Sequence, residues 1–204
     1  MFDNLPDKKY NIIYADPPWS YKDKRTKVGP SGNTGGGAAN HYPTMSIEDI
    51  KSLPVADIAD DPCILFMWVT WPLMPIWNDV IDAWGFKYKT LGFDWVKTYP
   101  KSGKIAIGAG AYTRSNAEPC IIAVKGKGAS LIKDHSIPNA QIHARGKHSQ
   151  KPEVFRDLIV QLCGDIPRIE LFSRTTTPGW DVWGNQVGML DEQAQPENTL
   201  EGLI

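Results

Sequence analysis

Asp16-Pro17-Pro18-Trp19 sets a carboxylate, two prolines and an indole in succession directly after the apolar run Ile12-Ile13-Tyr14-Ala15. Each proline removes a backbone N–H and fixes a φ angle, so the turn is expected to be stiff, with carbonyls pointing outward and lacking internal partners. The Asp16 carboxylate adds two more acceptor oxygens. Such an array matches a group with two N–H bonds, a primary amine or an amide. Trp19 would supply a flat face beside it, so a planar ring carrying an exocyclic amino group fits the set. Adenine and cytosine both qualify.

A quartet of this kind needs a scaffold that ends at its doorstep. Apolar runs bounded by turn residues occur at 12–15, 64–69, 93–96, 120–124 and 169–172, and each reads as a buried strand. Residues 72–84 carry Leu73, Ile76, Trp77, Val80, Ile81 and Trp84 at helical spacing and stop at Gly85. Residues 151–163 repeat the scheme, with Pro152 in the first turn, Val154, Leu158, Ile159 and Leu162 as the stripe, and Gly164 as the stop. Strands alternating with helices predict an α/β fold built on an open, mostly parallel sheet. Ligands of such sheets bind beyond the carboxyl ends of the strands, which is where Asp16 falls.

Composition narrows the function classes. The chain has 204 residues, 42% hydrophobic and 22% charged, with a net charge of -1. That length fits one domain, drawn at residues 1–190, and the near-neutral charge gives no global attraction to a polyanion or membrane. No leader or membrane-length apolar run is visible, so a cytoplasmic location and no membrane partner are expected. Cys63, Cys120 and Cys163 sit among aliphatic residues without metal-ligand spacing, so they read as structural thiols and no metal site is expected. The glycine-rich stretch 28–40, VGPSGNTGGGAAN, reads as a mobile loop beside the pocket, and the polar, acidic stretch 191–204 reads as a disordered tail.

Several further segments, taken with the quartet, carry a resemblance. They are HYPTMSIEDIKSLPV (41–55), LFMWVT (65–70), WGFKY (84–88), WVKT (95–98), EPCIIAVKG (118–126), HSQKPE (148–153), RIELFSR (168–174) and GWDVWGNQ (179–186). In this order and spacing the chain resembles the Asp-Pro-Pro-Trp adenine-N6 methyltransferases. That group includes the catalytic subunit of the eukaryotic messenger-RNA adenine methyltransferase together with bacterial and phage DNA enzymes. The resemblance implies a Rossmann-like methyltransferase fold with helices on both faces of the sheet, circularly permuted so that the quartet precedes the cofactor segment. It also implies S-adenosylmethionine as cofactor and nucleic acid as partner.

Carried over residue by residue, the resemblance makes Asp16, Pro17, Pro18 and Trp19 the catalytic set. It assigns Asp16, Phe172, Arg174, Asn185 and Gln186 to the cofactor, and Tyr42, Glu118 and Lys151 to the substrate side. Two local basic clusters, Lys22, Lys24, Arg25 and Lys27, then Arg145, Lys147, His148 and Lys151, are candidates for phosphate contacts. Lys24, Arg25 and His148 are the substrate-binding choices among them. DNA is favoured over RNA because no appended recognition domain or zinc finger is visible. A catalytically silent nucleic-acid-binding subunit, a glutamine-modifying protein methyltransferase and a cytosine-N4 methyltransferase are the rival readings. Oligomeric state is not legible in one chain, and a homodimer stays open.

Overall fold

The computed structural model describes residues 5–20, 44–108, 110, 112–146, 150–184 and 187. The quartet's upstream run forms strand β1 (Tyr10–Ala15). After the chain re-enters at residue 44 come helices α1 (Ile47–Ser52) and α2 (Val55–Ile58), strand β2 (Ala59–Trp68), a 3-10 turn (Trp71–Leu73) and helix α3 (Met74–Ala83). Strands β3 (Lys87–Thr98), β4 (Ala117–Lys125) and β5 (Ala140–Ala144), helix α4 (Val154–Cys163), and strands β6 (Arg168–Leu171) and β7 (Asp181–Trp183) complete the order.

The seven strands form one sheet in the order β5-β3-β4-β2-β1-β6-β7. β1 runs parallel to both β2 and β6, β6 to β7 and β3 to β5, whereas β4 is antiparallel to both of its neighbours. The sheet is therefore mostly parallel, as in a Rossmann-like methyltransferase fold, with one reversed strand near its middle.

β1 shows why the sheet needs helices on both faces. Successive side chains of a strand point to opposite faces, and five of its six residues are buried. Ile13 and Ala15 join one core with Trp77, Val80 and Ile81 of α3, while Ile12 and Tyr14 join another with Phe155, Ile159 and Cys163 of α4. Gly85 (φ 79°) and Gly164 (φ 89°) end α3 and α4 in backbone conformations that a side chain would strain.

Three expectations need correction. The α4 stripe is centred on Phe155, Ile159 and Cys163, with Val154, Leu158 and Leu162 on its flanks, and it buries a charged residue, Arg156. Pro152 lies ahead of the helix rather than in its first turn, where its carbonyl accepts from the Phe155 N–H at 3.2 Å. Strands β5 and β7 were not anticipated. Both are sheet edges, β5 mostly exposed with Ile142 at 64% and β7 only three residues long, so neither carries a buried apolar run. The loop at 28–40 and the tail at 191–204 lie outside the described residues.

The three cysteines are buried and unpaired, and burial pushes the Cys63 and Cys163 thiols up to about 12, so both are neutral at physiological pH. Among the described residues no cluster of possible metal ligands occurs, and no helix is long and apolar enough to cross a membrane.

Phe155 anchors α4 to the sheet. Its ring meets Trp68 edge-on at 4.9 Å between centroids and also contacts Phe93, Trp95 and His143. Phe155→Ala should cost about 3–5 kcal/mol of stability, read as a lower urea midpoint at unchanged m-value. A loss under about 1 kcal/mol would mean that the cluster does not hold the helix.

Candidate active site

The strand directions bring five chain segments to one edge. β1, β2 and β6 are parallel, so their carboxyl ends share it, and the carboxyl end of β3 joins them. The reversed strand β4 brings its amino end to the same edge, with Glu118 opposite Trp95 of β3.

The quartet at the end of β1 is pinned from within. The Pro17 carbonyl accepts from the Trp19 N–H at 2.8 Å, and the Pro18 carbonyl accepts from the Met45 N–H at 3.0 Å. The expectation of two unpartnered outward carbonyls is thus overturned, because the turn folds back on itself and pairs with the segment that leads into α1. Trp19 also departs from expectation. Its indole is only 5% exposed, packs in the core and donates to the Trp68 carbonyl at 2.9 Å, so it ties the end of β1 to the end of β2 rather than presenting an open face. An exposed indole does occur three residues beyond β2, at Trp71, which is 56% exposed.

Asp16 meets a line of alternating charges. The Lys151 ammonium donates to Asp16 Oδ2 at 2.6 Å and stands 3.4 Å from Glu118 Oε2, while Lys97 pairs with Glu118 Oε1. Two indole rings lie under the two ammonium groups, Trp68 at 5.2 Å from Lys151 and Trp95 at 5.0 Å from Lys97. Burial works to raise the Glu118 carboxyl, but the ammonium groups of Lys151 and Lys97 outweigh it and hold the group below the usual carboxylate range. Glu118 is therefore an anion at neutral pH.

Beside Asp16 an open cleft lies between the end of β1 and the end of β6. Asp16 and Glu170 give it negative charge, Lys151, Arg156 and Arg174 positive charge, and Phe172 an apolar wall. Phe172 turns the chain with φ 63°, unusual for a residue with a side chain, and its ring packs on Trp183 at 5.6 Å. Arg156 grips Glu170 through two hydrogen bonds, Nε to Oε2 at 2.7 Å and Nη2 to Oε1 at 2.9 Å, and Nη2 also reaches Thr175 Oγ1 at 3.3 Å. Burial pushes the Glu170 carboxyl up while the guanidinium pulls it back.

The structure thus brings together Asp16, Glu118, Lys151, Phe172 and Arg174 from the residues singled out in the sequence. Lys24, Arg25, Tyr42, His148, Asn185 and Gln186 lie outside the described residues. Lys97, Arg156 and Glu170 were missed as site residues. The signal for the last two was a charge inside an otherwise apolar pattern, Glu170 between Ile169 and Leu171 and Arg156 next to Phe155.

The MT-A70 family profile matches residues 10–186. The chain belongs to the MT-A70 family. This MT-A70 chain is 36% identical to the type II methyltransferase M.MunI of Mycoplasma sp, over 98% of the chain and 84% of that protein. It is 27% identical to the N(6)-adenosine-methyltransferase catalytic subunit METTL3 of Homo sapiens, over 88% of the chain but 28% of that protein. The N(6)-adenine-specific methyltransferase METTL4 of Homo sapiens is also 27% identical, over 88% of the chain and 38% of its own length. The MT-A70 chain therefore spans most of the Mycoplasma protein and less than half of the two human ones.

The Arg156–Glu170 pair generates a direct test. Arg156→Met leaves a buried carboxylate without its cation and should destabilise the MT-A70 domain by about 3–5 kcal/mol. Adding Glu170→Gln should recover a large part of that loss in urea denaturation. If the double variant is as unstable as the single one, the cost lies in packing rather than in the stranded charge.

Proposed function

We propose that this MT-A70 protein transfers a methyl group from S-adenosylmethionine to the N6 amine of adenine in nucleic acid, with DNA favoured. The observation that carries the reading is the Asp16 carboxylate, set at the carboxyl end of β1 and opening onto a cleft whose lining has both signs of charge. Methyltransferase names recur among its relatives, and those of METTL3 and METTL4 specify N6 of adenosine and of adenine.

The cleft suits the cofactor. S-adenosylmethionine carries a cationic sulfonium and amine and an anionic carboxylate, which the Asp16 and Glu170 carboxylates and the Arg174 guanidinium complement in sign. Arg174 and Phe172 would hold it, with Asn185 and Gln186 at its sugar. Once bound, the cofactor supplies an electrophilic methyl group.

The chain's own contribution is to prepare the amine. The N6 lone pair of adenine is delocalised into the ring, so the amine is a poor nucleophile until its N–H bonds are held by acceptors. Asp16 supplies the charged acceptor. The Pro17 carbonyl has two lone pairs, and the one not taken by the Trp19 N–H is the neutral acceptor. Asp16 is not needed as a strong base, because an acceptor carboxylate stabilises the positive charge that grows on N6 during transfer, the methyl–sulfur bond breaks to leave a neutral thioether, and N6 loses its extra proton after methylation. In a duplex the target base must be unpaired and turned out of the stack, at a few kcal/mol. Lys24, Arg25, His148 and Tyr42 would meet the nucleic acid around that base.

DNA is favoured by the similarity to a type II methyltransferase of comparable span, which also supports work in the cytoplasm of a bacterial or phage-infected cell. The similarity to METTL3 favours RNA as the second reading. A panel of duplex DNA, single-stranded DNA and RNA, incubated with the cofactor and read by nucleoside mass spectrometry, separates them. N6-methyladenine should appear, most of it in DNA. Asp16→Ala should lower its formation by about a hundredfold or more, with cofactor affinity by calorimetry much less affected. N4-methylcytosine as the product, or a variant that keeps most of the activity, would overturn the assignment.

A further inference from the structure

Lys151 is shared unequally between two carboxylates. Its ammonium is 2.6 Å from Asp16 Oδ2 and 3.4 Å from Glu118 Oε2, and its side chain is only 12% exposed, so it cannot leave one anion for water without a desolvated alternative nearby. The ammonium holds Oδ2 of the Asp16 carboxylate, so an amine arriving as a hydrogen-bond donor can take Oδ1 while Lys151 keeps the carboxylate oriented. Lys151 is oriented in turn by Glu118 Oε2, whose direction depends on what the other carboxylate oxygen does. That oxygen, Oε1, is held by Lys97, whose backbone lies on the neighbouring strand β3 and whose ammonium sits over the Trp95 ring.

We propose that Lys97 is a positioning residue for the methyl-transfer reaction: by fixing Glu118 through Oε1 it keeps Oε2 turned toward the Lys151 ammonium, which orients the Asp16 carboxylate that accepts the substrate amine. The inference rests on the methyl-transfer reading for its consequence, but not for its geometry. The line Lys97, Glu118, Lys151, Asp16 holds two cations and two anions, so each charge in it faces one of opposite sign. Lys97 itself does not meet Asp16 and acts through Glu118.

Among the described residues, charged and titratable groups approach Glu118 from several elements. Lys97 and its in-register neighbour His143 come from β3 and β5, Lys151 from the segment before α4, Asp16 from the end of β1, and the buried Cys120 thiol from β4 itself. Removing Lys97 takes away one of the two cations that hold Glu118 ionised. The Glu118 carboxyl must then titrate at higher pH, and activity that needs the anion must fail at higher pH as acid is added.

The test uses Lys97→Met and Lys97→Arg in the full chain. Lys97→Met should lower kcat about tenfold with the KM for S-adenosylmethionine within about twofold of wild type. The acid limb of its pH–rate profile should move upward, and Lys97→Arg should restore most of both. Carboxyl-carbon NMR of Glu118 reads the link without turnover, and its midpoint should rise in Lys97→Met. An unchanged midpoint, or an arginine variant no better than the methionine one, would overturn the proposal even if wild-type protein makes N6-methyladenine. A raised midpoint in a wild-type background that methylates nothing would instead overturn the functional reading and leave the linkage standing.

Discussion

An ammonium group withheld from water between two carboxylates constrains much of this structure. Lys151 can sit where it does only if Asp16 and Glu118 arrive from different strands at the same edge. Asp16 follows the carboxyl end of β1, whereas Glu118 lies at the amino end of β4, so the two strands have to run in opposite directions. The reversed strand in an otherwise largely parallel sheet is what makes the site chemically possible. A carboxyl end in place of that amino end would bring Lys125, a cation, toward Lys151.

Packing then decides how firmly the ammonium is placed. Phe155, four residues after Lys151, is locked among Trp68, Phe93 and Trp95, and Trp68 also lies under the Lys151 ammonium. The Trp68 indole donates to the buried Tyr14 hydroxyl at 2.7 Å, and the Trp68 carbonyl accepts from Trp19. Hydrophobic burial and hydrogen bonding thus join β1, β2 and α4 around one residue pair, Trp68 and Phe155. On the far side of the cleft Arg156 does the same work electrostatically, joining α4 to Glu170 of β6 and to Thr175 beyond it. Rigid side groups around a reacting centre are what positional catalysis requires.

Much of this was legible in the residues. The run 12–15 is apolar on both faces and bounded by a turn, which is the mark of a central strand, and it put Asp16 at a carboxyl end. The α3 stripe of Trp77, Val80 and Ile81 was legible for the same reason, since one face of that helix is buried. The reversal of β4 was not, because strand direction leaves no trace in an apolar run. β5 and β7 lacked the signal because edge strands bury little. Trp19 was misread since an indole beside a stiff turn looks the same in sequence whether it faces solvent or, as here, donates to a carbonyl inside the core. Lys97 lay in plain view within WVKT, but its role depends on Glu118 reaching it from a strand 21 residues away in sequence.

The proposed activity requires methyl donor and amine to meet in the cleft between β1 and β6. The most direct measurement is a crystal structure with S-adenosylhomocysteine bound. Density for the product is expected between Asp16, Phe172 and Arg174, with the Lys151 ammonium in contact with Asp16 or Glu118. Density for the ligand on another face of the sheet, with this cleft filled only by solvent, would contradict it.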